Sequence, residues 1–454
     1  MGPGWGSPGD TNESTVGLLG ALSIGSLRAS GYNVLTWDPR GFGKSTGSVE
    51  IDSVDYEARD VQQLLDWVST KPHVALDGPR DPVSGMVGAS YGGGIQFVTG
   101  AVDCRVDALV PVIAWHSLET SLFKSGIAKT GWGNLLSLAA SGASLDPTIP
   151  RANASANATG VIDAADVQWF ADRGPAELVS DIRVPTFIIQ GTVDTLFTLD
   201  EAMSNYDLLL ETGVPTAMMW FCGGHGVCLA DPGDQSRLSE RAIAWLDRYV
   251  KRDTSVDTGP TFEFVDQNGA SYTSGQFPQP AGAPLTATGA GTLQLVADGG
   301  SGPSQAVSAG NPLGGFVNPI TPAKATNAVD VTVTAPNDSM VVGAPQLTVT
   351  YSGTVADGDR PTRAFAQLVD DATGLVLGNQ ITPFEVILDG QQHTTTIPLE
   401  MVAQHMTAGS SVTLQLVATT VAYAAPRLGG QVDFSSIQIA LPVVTDVAPN
   451  AAVG

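Results

Sequence analysis

The sequence predicts an α/β domain with a parallel sheet over residues 1–254, followed by an all-β domain over residues 255–454. Two observations support this division. In the first part, short apolar runs alternate with longer amphipathic segments, which is typical of a parallel sheet covered by helices on both faces. In the second part, helical periodicity ends and apolar residues recur at every second position, as in half-buried strands.

The elements of the first part follow from the length and spacing of its apolar residues. Five runs predict buried strands, at residues 32–37 (YNVLTW), 83–87 (VSGMV), 106–114 (VDALVPVIA), 184–190 (VPTFIIQ) and 216–221 (TAMMWF). Five segments predict helices, at residues 16–28, 56–68, 91–98, 199–210 and 241–249. Residues 117–180 interrupt the alternation, and they predict a helical insertion between two strands.

The second part reads as a series of short strands separated by turn dipeptides such as Asp357-Gly358 and Asp389-Gly390. Strands are predicted at residues 347–351 (LTVTY), 365–368 (FAQL), 411–417 (SVTLQLV) and 436–441 (SIQIAL). Residues 275–328 are rich in Gly, Pro, Ala and Ser, and we expect long loops there. A β-sandwich of the jelly-roll type is the predicted architecture.

Composition excludes several classes of partner. With 21 basic and 45 acidic residues the net charge is −24, and such a surface repels the phosphate backbone of nucleic acids. No apolar run approaches the ~18 residues of a membrane-spanning helix.

The abundance of Ala, Gly, Thr and Val is typical of exported proteins of high-GC bacteria. We therefore expect an extracellular or cell-envelope location, with a cytoplasmic one as the alternative because no secretion signal follows Met1.

The strongest local motif is Gly88-Ala89-Ser90-Tyr91-Gly92, which lies directly after a predicted strand and directly before a predicted helix. In that context G-x-S-x-G is the nucleophile elbow of α/β-hydrolases, whose glycines leave room for a sharp turn that exposes the serine. Ser90 is therefore the predicted nucleophile. An ordinary glycine turn is the alternative interpretation.

A nucleophilic serine needs a base and an acid that orients the base, and in this fold they follow in the order serine, acid, histidine. Asp194 lies just after the fourth predicted strand, and His225 lies just after the fifth, in the sequence CGGHG. These positions predict Asp194 as the acid and His225 as the base. Asp200 is the alternative acid, although it falls within the next predicted helix.

Two main-chain amides are predicted to form the oxyanion hole. Tyr91 would donate from the N-terminus of the helix after the elbow, and Trp5 from the loop at residues 3–7 (PGWGS). In this fold such a loop follows a central strand, and the sequence begins where that strand would end. Either the sequence starts downstream of the true start, which we favour, or the sheet closes over the gap.

Three cysteines exclude a disulfide-dense scaffold and a zinc site of four thiolates. Cys222 and Cys228 flank His225, and the sequence leaves open whether they form a disulfide or remain two buried thiols.

Trp115 and His116 stand where the insertion begins, and they are the predicted substrate-binding residues.

The motifs DPRGFGKSTG, GASYGGGIQ, QGTVDTLF and GGHG, with the domain order, resemble the Xaa-Pro dipeptidyl-peptidase and cocaine-esterase-like family, which includes α-amino-acid ester hydrolases. The resemblance covers nearly the whole chain and is nearest to actinobacterial members. It implies an α/β-hydrolase fold with a helical cap, and a C-terminal jelly roll that helps to wall the pocket. Some members use a tyrosine hydroxyl as the second oxyanion donor, which Trp5 cannot supply.

The predicted activity is that of a serine hydrolase, which cleaves ester or amide bonds of a small-molecule or peptide substrate through an acyl-enzyme. This chemistry needs no cofactor and no metal. An Xaa-Pro dipeptidyl-peptidase is the first alternative. The others are a catalytically silent hydrolase fold that acts as a binding protein, and an acyltransferase, which the sequence does not separate from a hydrolase.

Overall fold

A seven-stranded sheet forms the centre of the first domain. The computed structural model describes residues 1–15, 22–230, 232, 236–302 and 323–450. In chain order the first domain contains α1 (Ile24–Ala29), α2 (Glu57–Ser69), β1 (Leu76–Gly78), β2 (Asp81–Pro82), β3 (Gly85–Ala89), α3 (Tyr91–Val102), β4 (Ala108–Val112), α4 (Leu118–Leu122), α5 (Thr130–Ala139), α6 (Thr148–Thr159), α7 (Ala164–Ala171), β5 (Thr186–Gly191), α8 (Leu199–Thr212), β6 (Thr216–Phe221), α9 (Ser236–Tyr249), β7 (Phe262–Val265) and β8 (Ser271–Ser274).

Strands β3 to β7 pair in parallel and in chain order, and β8 adds to β7 in the antiparallel direction. Helices α2, α3 and α8 pack on one face of the sheet, and α9 packs on the other. Because both faces are covered, β4, β5 and β6 are buried at every position. This explains their continuous apolar runs. Of the predicted helix at residues 16–28, residues 16–21 lie outside the described part of the chain.

The strand predicted at residues 32–37 belongs to none of the described sheets, and the prediction is wrong in that respect. A cavity of about 650 Å³ separates this segment from β3, which is the edge strand. At one end of the cavity, Gly2 forms a parallel bridge with Gly88, and the amino group of Met1 donates to the carbonyl of Leu35 at 2.7 Å. The apolar pattern is therefore that of a strand without a neighbour along most of its length, and in the described residues the sheet does not close over the gap.

The sheet extends further along the chain than the sequence indicated. Strands β7 and β8 lie beyond residue 254, where the all-β domain was predicted to begin, yet after α9 they extend the sheet of the first domain, β7 in parallel and β8 in the antiparallel direction. The alternation of strand and helix thus includes one more unit. The pattern at Phe262–Val265 is short and aromatic, so it does not distinguish a buried central strand from a half-buried sandwich strand.

The rest of the chain is almost entirely antiparallel. Its strands are β9 (Leu285–Gln294), β10 (Ala328–Thr334), β11 (Ser339–Gly343), β12 (Gln346–Val355), β13 (Arg363–Asp370), β14 (Thr382–Glu385), β15 (His393–Pro398), β16 (Val402–Met406), β17 (Ser411–Val417), β18 (Gly430–Leu441), β19 (Val443–Val444) and β20 (Ala448–Pro449). Two four-stranded sheets, ordered β10-β17-β13-β14 and β15-β12-β18-β9, enclose one apolar core. The second part is thus a β-sandwich, and its jelly-roll topology stays a prediction.

Two details of the sandwich differ from expectation. Strand β9 lies within the stretch predicted as loops, because alternating Thr and Ala residues there pair with β18. Residues 303–322 of the same stretch lie outside the described residues. The last described strand, β20, leaves the sandwich and pairs with β8 of the first domain.

Candidate active site

Ser90 stands in the sharp turn between β3 and α3, with φ 56° and ψ −118°. A positive φ is strained for a residue with a side chain, and such strain is concentrated at functional sites. The glycines on either side leave space for the N-terminal segment: a Cβ on Gly92 would lie 2.1 Å from the carbonyl oxygen of Gly2. The flanking glycines are therefore required by packing as well as by the turn.

The structure brings Ser90, His225 and Asp194 into one hydrogen-bonded chain. Nε2 of His225 lies 2.9 Å from Oγ of Ser90, and Nδ1 lies 2.7 Å from Oδ2 of Asp194. With Nδ1 protonated towards the carboxylate, Nε2 is free to accept the serine proton. Phe197 and Trp132 pack edge-on against the imidazole ring, at 5.1 and 5.7 Å between centroids.

Asp194 is fully buried in the turn formed by residues 192–197, which we call the acid turn. Its Oδ1 accepts the main-chain N–H groups of Leu196 and Phe197, at 3.1 and 2.8 Å. These bonds fix the orientation of the carboxylate. The alternative acid, Asp200, lies in the first turn of α8 and is bonded to Lys124 at 2.8 Å, away from the imidazole.

The loop that carries His225 is held on both sides. Cys222 and Cys228 form a disulfide with 5.2 Å between their Cα atoms, which resolves the question that spacing alone left open. Gly224 has φ 126°, and a Cβ there would lie 2.7 Å from Cβ of Asp194. Only glycine lets the loop pass so close to the acid turn.

The two predicted oxyanion donors lie beside the serine. Tyr91 is the first residue of α3, where main-chain N–H groups have no partner in the preceding turn. Trp5 lines the same cavity as Ser90, its indole N–H donates to Leu136 at 2.9 Å, and its ring packs edge-on against Tyr91. Both residues thus line the cavity at Ser90, and their role as oxyanion donors stays a prediction.

A mainly apolar cavity of about 100 Å³ opens at Ser90. The helices of the insertion supply much of its wall, through Leu118, Leu122, Leu136, Ile149, Val167 and Phe170. Trp115 lines this cavity, as predicted, and its ring packs against Phe197. His116 does not line it: its ring bonds to Asn205 of α8 at 2.8 Å, so its prediction as a substrate-binding residue is wrong.

Three residues that sequence reasoning missed hold the acid turn in place. Lys129 of the insertion donates to the carbonyl of Leu196 at 2.8 Å, and Trp132 donates to Oγ1 of Thr195 at 3.1 Å. Gln380 of the sandwich donates to the main-chain carbonyl of Asp194 at 2.7 Å. A lysine in an otherwise apolar stretch was the one available signal. Gln380 lies 186 residues from its partner and gives none.

Buried ionisable groups surround the site. Burial lowers the pKa of Lys129 to about 8. Behind the elbow, burial raises the pKa of Glu57 above its usual range, and burial together with Glu57 raises the pKa of Asp52 well above it.

Among the described residues there is no group of three or more His, Cys, Asp or Glu side chains that could hold a metal ion. None of the described helices is long and apolar enough to cross a membrane.

Comparison with known proteins finds one family with a similar sequence. A model of the X-Pro dipeptidyl-peptidase (S15) family matches residues 11–226, which include all three residues of the hydrogen-bonded chain. A comparison with curated protein sequences found no match.

Several solved structures share the fold. A CocE/NonD family hydrolase from Staphylococcus aureus is similar with a TM-score of 0.63 and 12% identity, over 89% of this chain and 79% of that one. An aminopeptidase from the marine sediment archaeon Thaumarchaeota archaeon gives 0.66 and 13%, over 92% and 87%. An α-amino acid ester hydrolase gives 0.60 and 11%, over 89% and 82%.

At these identities the likeness is one of fold: an α/β-hydrolase-like domain followed by antiparallel sheets. The family model adds the sequence relationship, and it agrees with the resemblance carried by the motifs. Residues 11–226 of the chain are thus similar in sequence to the X-Pro dipeptidyl-peptidase (S15) family.

Proposed function

We propose that the protein cleaves esters or amides of small apolar acyl groups through a Ser90–His225–Asp194 triad. The observation that carries this proposal is the continuous chain of hydrogen bonds from Asp194 to Ser90 at the mouth of an apolar cavity. Nucleophile, base and orienting acid at these distances are the signature of covalent acyl transfer.

In the proposed mechanism, Oγ of Ser90 attacks the carbonyl carbon while Nε2 of His225 takes the serine proton. Asp194 keeps the imidazole in the tautomer that can accept this proton, and it stabilises the imidazolium that forms. The oxyanion is held by the main-chain N–H groups of Tyr91 and Trp5. His225 then protonates the leaving group. A water molecule, activated by the same imidazole, releases the acyl group.

The cavity favours an uncharged acyl group. Its charged lining residues are Glu119, which is exposed, and Lys129, which is bonded to the acid turn. A free α-ammonium group in this apolar space would need a buried carboxylate partner to offset its lost hydration. Because the cavity measures only about 100 Å³, we propose short acyl esters and small amides as the substrates.

Xaa-Pro dipeptidyl-peptidase activity is the second candidate. Two observations favour it: the family model describes X-Pro dipeptidyl-peptidases, and Glu119 gives the cavity one carboxylate that could pair with an amino terminus. The two candidates differ in the charge of the acyl part. A dipeptidyl reporter with and without N-acetylation therefore distinguishes them.

The direct test is labelling of the purified protein with a fluorophosphonate, which reacts with activated serines. Labelling should require Ser90 and His225, so Ser90→Ala and His225→Ala should abolish it. Ser137→Ala is the matched control, because Ser137 lines the same cavity but donates to the carbonyl of Gly133. It should label like the wild type.

Unlabelled protein from the same preparation should hydrolyse 4-nitrophenyl acetate and butyrate faster than an Xaa-Pro 4-nitroanilide. A faster amide reaction that N-acetylation abolishes would reverse the order of the two candidates. Equal labelling of wild type and Ser90→Ala would refute the triad. Absence of labelling in all variants, with retained ligand binding by the wild type, would support a silent fold.

A further inference from the structure

The acid turn is the part of the triad on which all three regions of the chain converge. Its residues belong to the first domain, Lys129 reaches it from the insertion, and Gln380 reaches it from the sandwich. The acid turn carries the carboxylate that orients His225. Its position is therefore set by contacts from outside its own domain.

The sandwich approaches the acid turn through the segment at residues 377–380, between β13 and β14. Nε2 of Gln380 donates to the carbonyl oxygen of Asp194 at 2.7 Å, and both residues are buried. Next to it, Gly378 has φ 60°, and a Cβ there would lie 2.8 Å from the carbonyl oxygen of Thr192. The two backbones thus approach more closely than a side chain would allow.

This segment is itself anchored to the first domain. The N–H of Gly378 donates to Oε1 of Gln267, which lies between β7 and β8, at 3.0 Å. The N–H of Gln267 donates in turn to Ala403 of β16 at 3.0 Å. Residues 377–380 are therefore fixed relative to the sheet that carries the triad.

An ion cluster of the buried Glu400 with the partly buried Lys124 and Asp200 joins the same three regions at the start of α8. Lys124 of the insertion pairs with Asp200 of α8 at 2.8 Å and with Glu400 of the sandwich at 2.7 Å. Burial opposes the charge of Lys124, but Glu400 and Asp200 outweigh it and raise the pKa of that ammonium. Because removing one partner would leave a buried charge unpaired, this cluster resists separation of the sandwich from the acid turn.

From this geometry we propose that Gln380 is a positioning residue for Asp194, so that the sandwich takes part in catalysis by fixing the acid turn. The inference rests on the proposed function of the triad. The side-chain amide of Gln380 holds the main chain at Asp194, and the carboxylate of Asp194 orients His225. Small displacements there are costly, because catalytic groups must stay within about 0.5 Å of their productive positions.

The test compares Gln380→Met with Gln367→Met. Methionine keeps the length of the side chain and removes the N–H donor. Gln367 is the matched control, because it is as deeply buried in the sandwich and donates to Gln415 at 2.9 Å, away from the site. Gln380→Met loses the bond to Asp194, whereas Gln367→Met also loses a bond from Ser301 at 2.6 Å, so the thermal stability of the control should fall at least as much.

Two readouts separate positioning from stability. The first is steady-state hydrolysis of the ester: Gln380→Met should lower kcat about 10-fold or more and leave KM within about twofold, as expected when a transition-state interaction is lost. Gln367→Met should leave both constants near the wild-type values. The second is amide hydrogen exchange at Leu196 and Phe197, whose N–H groups bond to the carboxylate of Asp194. Their exchange should be faster in Gln380→Met only.

The exchange measurement keeps this inference separate from the proposed function, because it does not depend on turnover. Faster exchange and lower kcat in Gln380→Met, with neither in Gln367→Met, would support the positioning role. Unchanged exchange at Leu196 and Phe197 in Gln380→Met would overturn it, whether or not the protein is active. A wild type without Ser90-dependent labelling would overturn the proposed function and leave the exchange result to decide on Gln380.

Discussion

The disulfide between Cys222 and Cys228 closes a loop with His225 at its centre, three residues from each cysteine. The double variant Cys222→Ser/Cys228→Ser removes this constraint without changing any residue of the triad. We expect the double variant to be less stable than the wild type, and the position of the His225 side chain to be less tightly fixed. His225 would then depend on its bonds to Asp194 and Ser90 and on packing against the rings of Trp132 and Phe197.

The magnitude follows from the loop length. A separation of six residues makes a closed loop of seven, for which the chain-entropy relation gives about 8 cal/mol/K, or about 2.3 kcal/mol at 25 °C. At about 2.1 cal/mol/K per residue, a unit of about 250 residues unfolds with an entropy of about 0.5 kcal/mol/K, so Tm should fall by about 4 °C. If the same constraint governs local opening of the loop, its open population rises by at most about 50-fold.

Calorimetry and the rate of fluorophosphonate labelling are the assays. Wild type treated with a reductant should behave like the double variant, with a lower Tm and slower labelling. Cys104→Ser is the control, because it removes the exposed free thiol and leaves the loop closed. Equal Tm and equal labelling rates in the wild type and the double variant would refute the reasoning that the disulfide holds the base.

Three further predictions concern the cavity and the buried charges. Phe170→Ala widens the acyl cavity, so the preferred ester should lengthen by two or more carbons; an unchanged chain-length profile would place the acyl group elsewhere. Lys129→Met removes an ammonium whose pKa burial lowers to about 8. A lowered pKa in the folded state contributes stability that is present above about pH 10.4 and lost as the pH falls to about 8. In urea unfolding, the wild type should therefore gain stability relative to the variant as the pH rises from about 8 to about 10.4. Asp52→Asn removes a carboxyl whose pKa burial and Glu57 raise. A raised pKa contributes stability that is present below about pH 4 and is lost as the pH rises through the folded-state pKa. The variant should therefore gain on the wild type by about 1.4 kcal/mol per pH unit from about pH 4 up to that folded-state pKa, and parallel curves would contradict this.

The sequence by itself determined the parts of this protein that are coded locally. GASYG predicts its turn because its glycines, strand and helix are neighbours in the chain. The positions of Asp194 and His225 follow because parallel strands bring their carboxyl ends to one edge of the sheet, so a residue just after each strand lies near Ser90. The family resemblance rests on the same short motifs, and the family model agrees with it.

Tertiary structure decided what depends on contacts between distant segments. The pattern at residues 32–37 is that of a strand, but pairing needs a neighbour, and a cavity lies there instead. His116 is next to a cavity residue in sequence, yet its ring is drawn to Asn205 by a hydrogen bond that no spacing reveals. Gln380 reaches Asp194 across 186 residues, because packing of the sandwich sets that distance. Periodicity and motifs report only near neighbours along the chain, so they cannot record such contacts.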